Sequence, residues 1–174
     1  ASAEAWRLQT SVPAEMQRTL LSSVLAGPYA AVALQVLKKA GWIGAIWPQI
    51  AQLDETEQGK SEHPEGNVWK HSLEALQHRK TLDLRVGLAI LLHDIGKPAA
   101  AQTSEHRFHL HADLGANIAR RMLRHMEFHE DFVEDVVWLI RYHSFPGALE
   151  KLPTHRSAPL MKSRLFPLLL ELYR

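Results

Sequence analysis

"VGLAILLHDIGKP", residues 86–98, is the stretch on which the fold turns. Apolar and small residues run unbroken from Val86 to Leu92, and two polar, metal-competent side chains, His93 and Asp94, end the run. Gly96, Lys97 and Pro98 follow at once. The run predicts a buried helix, the most apolar in the chain. Its polar end has two readings: residues that mark the exit of a helix, or part of a metal site that needs partners elsewhere.

Working outward, strand signals are scarce and helical periodicity is frequent. "SVPAEMQRTLLSSVLA" opens with Ser11 as cap and Pro13 in the first turn, and runs to Gly27. "PYAAVALQVLKKAGW" ends on two lysines and stops at Gly41, a good left-handed residue. Residues 48–67 read as a long connection. Helices are expected over about 67–80 and 81–95, a loop over "KPAAAQTSEHRFHLH", then amphipathic helices in "ADLGANIARRMLRHM" and "EDFVEDVVWLIRYH". "APLMKSRLFPLLLELYR" predicts a last helix, kinked at Pro167. The expectation is an all-α, single-domain helical bundle, with residues 1–34 as an N-terminal helical segment packed on a domain over 35–174.

The totals narrow the classes. At 174 residues the chain suffices for one domain with a real core. A formal net charge of +1 gives no whole-molecule argument for nucleic acid or a membrane surface. With no cysteine, disulfides and thiolate metal cages are excluded, which fits a reducing, cytoplasmic setting. No apolar run approaches the ~20 residues of a membrane span, and no signal peptide is visible. A start without Met is that expected of a trimmed or partial chain.

Eleven histidines are an unusual number, and position sorts ten of them. His63, His78, His106, His125, His129 and His155 lie in loops or among charges, where a solvated side chain suffices. His71, His93, His111 and His143 fall at or near helix ends, so four helices could bring imidazoles to one level of a bundle. Imidazoles with a carboxylate suit Mn, Fe, Co, Ni or Zn. An adjacent His-Asp pair can serve one site if the helix ends there, and Gly96 offers that freedom. Lys97 is placed either to meet a phosphate oxygen or to face a helix end. Arg120, Arg121 and Arg124 offer contacts to RNA phosphates, against the plainer reading of a solvated helix face.

At these residues the sequence resembles the HD superfamily of metal-dependent phosphohydrolases. It is closest to the HD domain of bacterial tRNA nucleotidyltransferases and poly(A) polymerase-like proteins. The resemblance rests on "GWIGAIWPQIAQL", "HPEGNVWKHSLEAL", "LLHDIGKP", "FHLHADLGANIARRMLRHM" and "VVWLIRYH", in that order. It implies an HD-type bundle, with His71, His93 and Asp94 as metal ligands and His111 and His143 as holders of a second ion. Asp94 would bridge the two ions, and Lys97 would face the phosphate, making Asp94 and Lys97 the catalytic pair. It implies one or two divalent ions, Mg also being allowed, that polarise phosphoryl oxygens and lower the pKa of water towards ~7. The implied partner is a phosphate-containing small molecule or an RNA end, 2′,3′-cyclic phosphates being the first choice. The alternative is a non-catalytic HD module, or a fragment that binds tRNA or supports a separate catalytic domain. The family pattern also calls for a distal aspartate after a segment like "LLLELYR". The sequence ends at Arg174 before one occurs, so either it is cut there or it lacks that ligand; Glu171 lies about a turn early. Nothing resembles a nucleotidyltransferase catalytic region, and the oligomeric state is not readable.

Overall fold

In the computed structural model, residues 12–57, 66–103 and 110–173 are described. The central element is the apolar helix expected from the opening stretch, α6 in chain order. Around it are α1 (Ala14–Ala26), α2 (Ala30–Lys39), α3 (Trp42–Ile46), α4 (Pro48–Ala51) and α5 (Val68–His78). The central α6 is Leu84–Leu92, followed by α7 (Lys97–Thr103), α8 (His111–His125) and α9 (Glu130–Tyr142). The chain closes with α10 (Phe145–Ala148), α11 (Thr154–Met161) and α12 (Phe166–Tyr173). The described residues form no sheet, only an isolated antiparallel bridge between Glu57 and Asn67. The fold is all-α.

Helix α6 is buried from Val86 through Leu92 because neighbours cover it on every side: α1, α5, α9 and α12 all pack against it. A helix without a polar face is stable only in such a position. Its start is set by Asp83, whose carboxylate accepts the Arg85 backbone N–H at 2.8 Å. Helices α8 and α9 pack on each other as a hairpin, and α9 lies on α6. Glu127, at φ 56, turns the chain between them, with Phe128 N–H closing on Leu123 O at 3.2 Å. The ends of α6 and α9 and the start of α8 thereby share one end of the bundle.

The boundaries differ from expectation in four places. Residues 97–103, expected as loop, form α7, with Pro98 in its first turn, where a missing N–H costs nothing. The connection over 48–67 holds α4 and a 3₁₀ turn, Gln52–Glu55, whose buried Ile50 and Leu53 reach the core. The 81–95 helix is shorter, because Asp83 caps it and His93 begins a turn. Pro167 kinks nothing: it lies in the first turn of α12, and α11 is a separate helix. Gly41 does adopt the left-handed conformation, at φ 80. The cap expected at Ser11 and the loop histidines His63 and His106 lie outside the described residues.

One polar network fastens the far side of the core. Asp135 of α9 is buried and accepts Arg85 Nη1 at 3.2 Å and Arg164 Nη1 at 3.0 Å, while Arg85 Nη2 also reaches Asp83 at 2.6 Å. Removing the carboxylate leaves two guanidinium groups facing each other. Asp135→Ala is expected to cost about 1–2 kcal/mol, the scale of lost hydrogen bonds to a charged group, read as a lower urea midpoint with an unchanged m-value.

Candidate metal centre

The turn 93–96 builds the site from backbone outward. After Leu92 the helical ladder stops, Ile95 N–H returns to Leu92 O at 3.1 Å, and Lys97 N–H to Asp94 O at 2.9 Å. This tight turn lets His93 and Asp94 serve one cluster, as an uninterrupted helix would not. Gly96 contributes differently from the expected freedom to turn, for its φ is not positive. A Cβ at Gly96 would lie 2.0 Å from His111 O and 2.5 Å from Gly115 N. The residue is small because the start of α8 passes against it backbone to backbone, which sets His111 beside Asp94.

The other ligands are placed by caps and helix ends. Asn67 caps α5, accepting Lys70 N–H at 3.0 Å while its amide donates to Asp54 O at 2.8 Å, and His71 sits one turn further on. His143 follows the last residue of α9. The rings converge: the centroids of His71 and His93 are 5.2 Å apart, those of His93 and His143 5.1 Å, and those of His111 and His143 5.0 Å. Two sets of three ligand atoms result, His71–His93–Asp94 and Asp94–His111–His143, each within 4.8 Å. Asp94 belongs to both, and Glu171 to neither. All five residues singled out as ligands are brought together.

Asp94 is only 2% exposed. Its Oδ2 meets Lys97 Nζ at 2.7 Å and His93 Nε2 at 3.1 Å. Its Oδ1 is 3.3 Å from His111 Nε2 and 3.9 Å from His143 Nε2, yet accepts no hydrogen bond among the described residues. Lys97 is buried as well.

The tautomers sharpen this. His93 Nδ1 lies 2.7 Å from Ile90 O and His143 Nδ1 2.7 Å from Ile140 O, so each Nδ1–H donates to a carbonyl three residues back. In the neutral rings Nε2 is then a bare lone pair. The Nε2 atoms of His93 and His143 face Asp94 oxygens, and His143 Nε2 is also within hydrogen-bond distance of His111 Nε2, at 3.1 Å. Converging acceptors with a buried, unsatisfied carboxylate oxygen are the donor set that a divalent cation relieves. The residues present fit such an ion.

Protonation follows the same geometry. Burial depresses the His143 imidazole to about 4, helped by the neighbouring His93. Burial also acts to lower His93, but the adjoining Asp94 carboxylate and Ile90 carbonyl outweigh it and hold His93 above its ordinary value. Asp94 is opposed by its own burial, yet His93 and Lys97 keep it ionised well below the usual carboxylate range. Two pH effects follow. His143 binds fewer protons folded than unfolded, so its share of stability is lost as pH falls from about 6.5 towards 4. A cation at this site would displace the His93 proton, so ion binding is expected to release protons and to tighten as pH rises. Calorimetric titration with Mn²⁺ in buffers of different ionisation heat measures that proton directly.

A family model described as "HD domain" matches residues 68–165, the span holding all five candidate ligands, Gly96 and Lys97. The chain is 35% identical over 163 residues to the CC-adding tRNA nucleotidyltransferase of Thermus thermophilus, covering 89% of this chain and 35% of that protein. It is 33% identical over 91 residues to the multifunctional CCA protein of Halorhodospira halophila, covering 51% and 22%. It is 31% identical over 117 residues to the A-adding tRNA nucleotidyltransferase of Deinococcus radiodurans, covering 63% and 26%. The chain spans about a third or less of these curated relatives.

Proposed function

We propose that this chain, which belongs to the HD domain family, is a metal-dependent phosphohydrolase module. Its substrate class would be nucleotide or RNA-end phosphodiesters, 2′,3′-cyclic phosphates foremost. The observation that carries this reading is the convergence of two three-ligand sets on one buried carboxylate, Asp94. His71, His93 and Asp94 would hold one divalent ion, and Asp94, His111 and His143 a second. The ions supply Lewis acidity and a nucleophilic water at neutral pH.

The chain's own residues do the rest. The carbonyls of Ile90 and Ile140 hold the His93 and His143 rings with Nε2 towards the cluster. Asp94, shared between the sets, keeps the two ligand groups in register. Lys97, with Nζ already at the cluster edge, offers a fixed positive charge to a phosphoryl oxygen as charge builds there. The buried lining keeps these charges in a medium where they act strongly.

The relatives are named for tRNA nucleotidyl transfer, which favours a second reading: a module that engages tRNA without turnover. Of the three arginines on α8, Arg120 pairs with Glu134 at 2.7 Å and Arg124 with Glu130 at 3.0 Å, so only Arg121 has no carboxylate partner among the described residues. One experiment separates the two. Metal content is measured together with formation of nucleoside 2′- or 3′-monophosphate from 2′,3′-cyclic nucleotides and release of inorganic phosphate from phosphomonoesters. Stoichiometric metal with chelator-sensitive turnover is expected. Salt-dependent tRNA binding with no turnover would replace the hydrolase reading with the second one.

A further inference from the structure

The two oxygens of Asp94 are not equivalent. Oδ2 is engaged twice, by Lys97 Nζ at 2.7 Å and by His93 Nε2 at 3.1 Å. Oδ1 is buried and accepts no hydrogen bond among the described residues. A buried carboxylate oxygen left so is costly until something supplies it with a positive partner. Two imidazole nitrogens stand beside it, His111 Nε2 at 3.3 Å and His143 Nε2 at 3.9 Å.

The spacing around Oδ1 has the size of a metal site. His111 Nε2 and His143 Nε2 are 3.1 Å apart, which closes a triangle with Oδ1. A point inside it lies about 2.0 Å from all three atoms, the length of a Zn–N or Zn–O bond. His143 is already turned for this by the bond from its Nδ1–H to Ile140 O. The contact given up is the one between the two Nε2 atoms, in which His111 donates because His143 keeps its proton on Nδ1. A neutral imidazole frees Nε2 by carrying its proton on Nδ1 instead.

The His71–His93–Asp94 set stands differently. His93 Nε2 addresses Oδ2, the oxygen on which the Lys97 ammonium already sits. Lys97 is only 6% exposed, so a cation reaching Oδ2 meets a like charge at contact distance in a medium that screens it weakly. We propose that the two ligand sets load in a fixed order. The first ion enters at Asp94 Oδ1, His111 and His143, with Lys97 still on Oδ2. The His71–His93–Asp94 set fills second, as the Lys97 ammonium leaves Oδ2, and Lys97 thereby sets the gap between the two affinities. The proposal rests on the metal-centre reading and adds to it the order of loading and the residue that controls it.

The test is Zn²⁺ titration of the metal-free full chain, followed by the ¹⁵N shifts of the histidine rings. The first equivalent is expected to shift His111 and His143 Nε2 and to leave His71 in place; the second shifts His71. Calorimetry should resolve a tight step and a weaker one. His143→Ala should weaken the tight step about 100-fold or more, since even a group that only supports a ligand is worth about 10- to 100-fold. His71→Ala should remove the weaker step and leave the tight one. Lys97→Met should strengthen the weaker step roughly 10- to 100-fold, the scale of a charge-assisted hydrogen bond, and the tight step much less. The ring shifts are read on the parent chain, so they decide the order even where a variant fails to fold. The proposal is overturned if the first equivalent shifts His71, if His71→Ala removes the tight step, or if Lys97→Met strengthens both steps alike or neither. Absence of any zinc binding would remove the metal-centre reading itself, a failure distinct from loading in the reverse order.

Discussion

Asp94→Asn is expected to abolish metal retention and, with it, the proposed phosphoester turnover, while the bundle still folds. Asp94 is the one residue in both ligand sets, so its charge is removed from both positions at once. Turnover is expected to fall by about three orders of magnitude or more, the scale on which loss of charge stabilisation in the transition state acts. The stability effect is separate. Asparagine keeps the volume but leaves the buried Lys97 ammonium 2.7 Å from a neutral amide. The metal-free protein should lose about 3 kcal/mol, as when one partner of a buried pair is removed. The Asp94→Asn/Lys97→Met double variant should recover much of that stability without recovering turnover. Thermal melts of both variants, beside metal analysis and a cyclic-nucleotide assay, measure the two losses independently. Retained turnover in Asp94→Asn would exclude the cluster as the reaction centre.

Gly96→Ala carries the second large effect, although it alters no candidate ligand. The added methyl would stand 2.0 Å from His111 O and 2.5 Å from Gly115 N, both backbone atoms that no side-chain rotation can clear. Helix α8 must shift from the 93–96 turn, and His111 moves with it. Destabilisation of about 3 kcal/mol is expected, the upper end for overpacking because backbone meets backbone. Metal affinity should fall most for the set containing His111. Urea unfolding gives the first quantity, and Co²⁺ titration followed by its visible spectrum gives the second. A variant as stable as the parent, with unchanged Co²⁺ binding, would show that the contact does not position His111.

Much of the fold was legible because of α6: a run buried on all faces leaves a plain signature, and the amphipathic α8 and α9 leave another. The errors fall where local signals compete. Pro98 and Pro167 read as breakers, yet both sit in first turns, where proline starts a helix. Ile50 and Leu53 were hidden by the prolines and glycines around them, since only tertiary contact shows that they reach the core. The cluster was legible because His71, His93, His111 and His143 each fall near a helix end. Their convergence could not be derived from spacing, which says nothing about how α5, α6, α8 and α9 are arranged. The close approach at Gly96 and the different fates of Arg120 and Arg121 are likewise matters of packing. Consecutive residues on one helix face different neighbours, and of the two only Arg120 meets a glutamate among the described residues.

The contact between Lys97 and Asp94 bears on the charge balance of the cluster. A buried carboxylate with no cationic partner is strongly destabilising. Here an internal ammonium already sits on the bridging carboxylate, acting as a resident counter-ion built into the chain. A cation entering the cluster would compete with this ammonium for the Asp94 carboxylate.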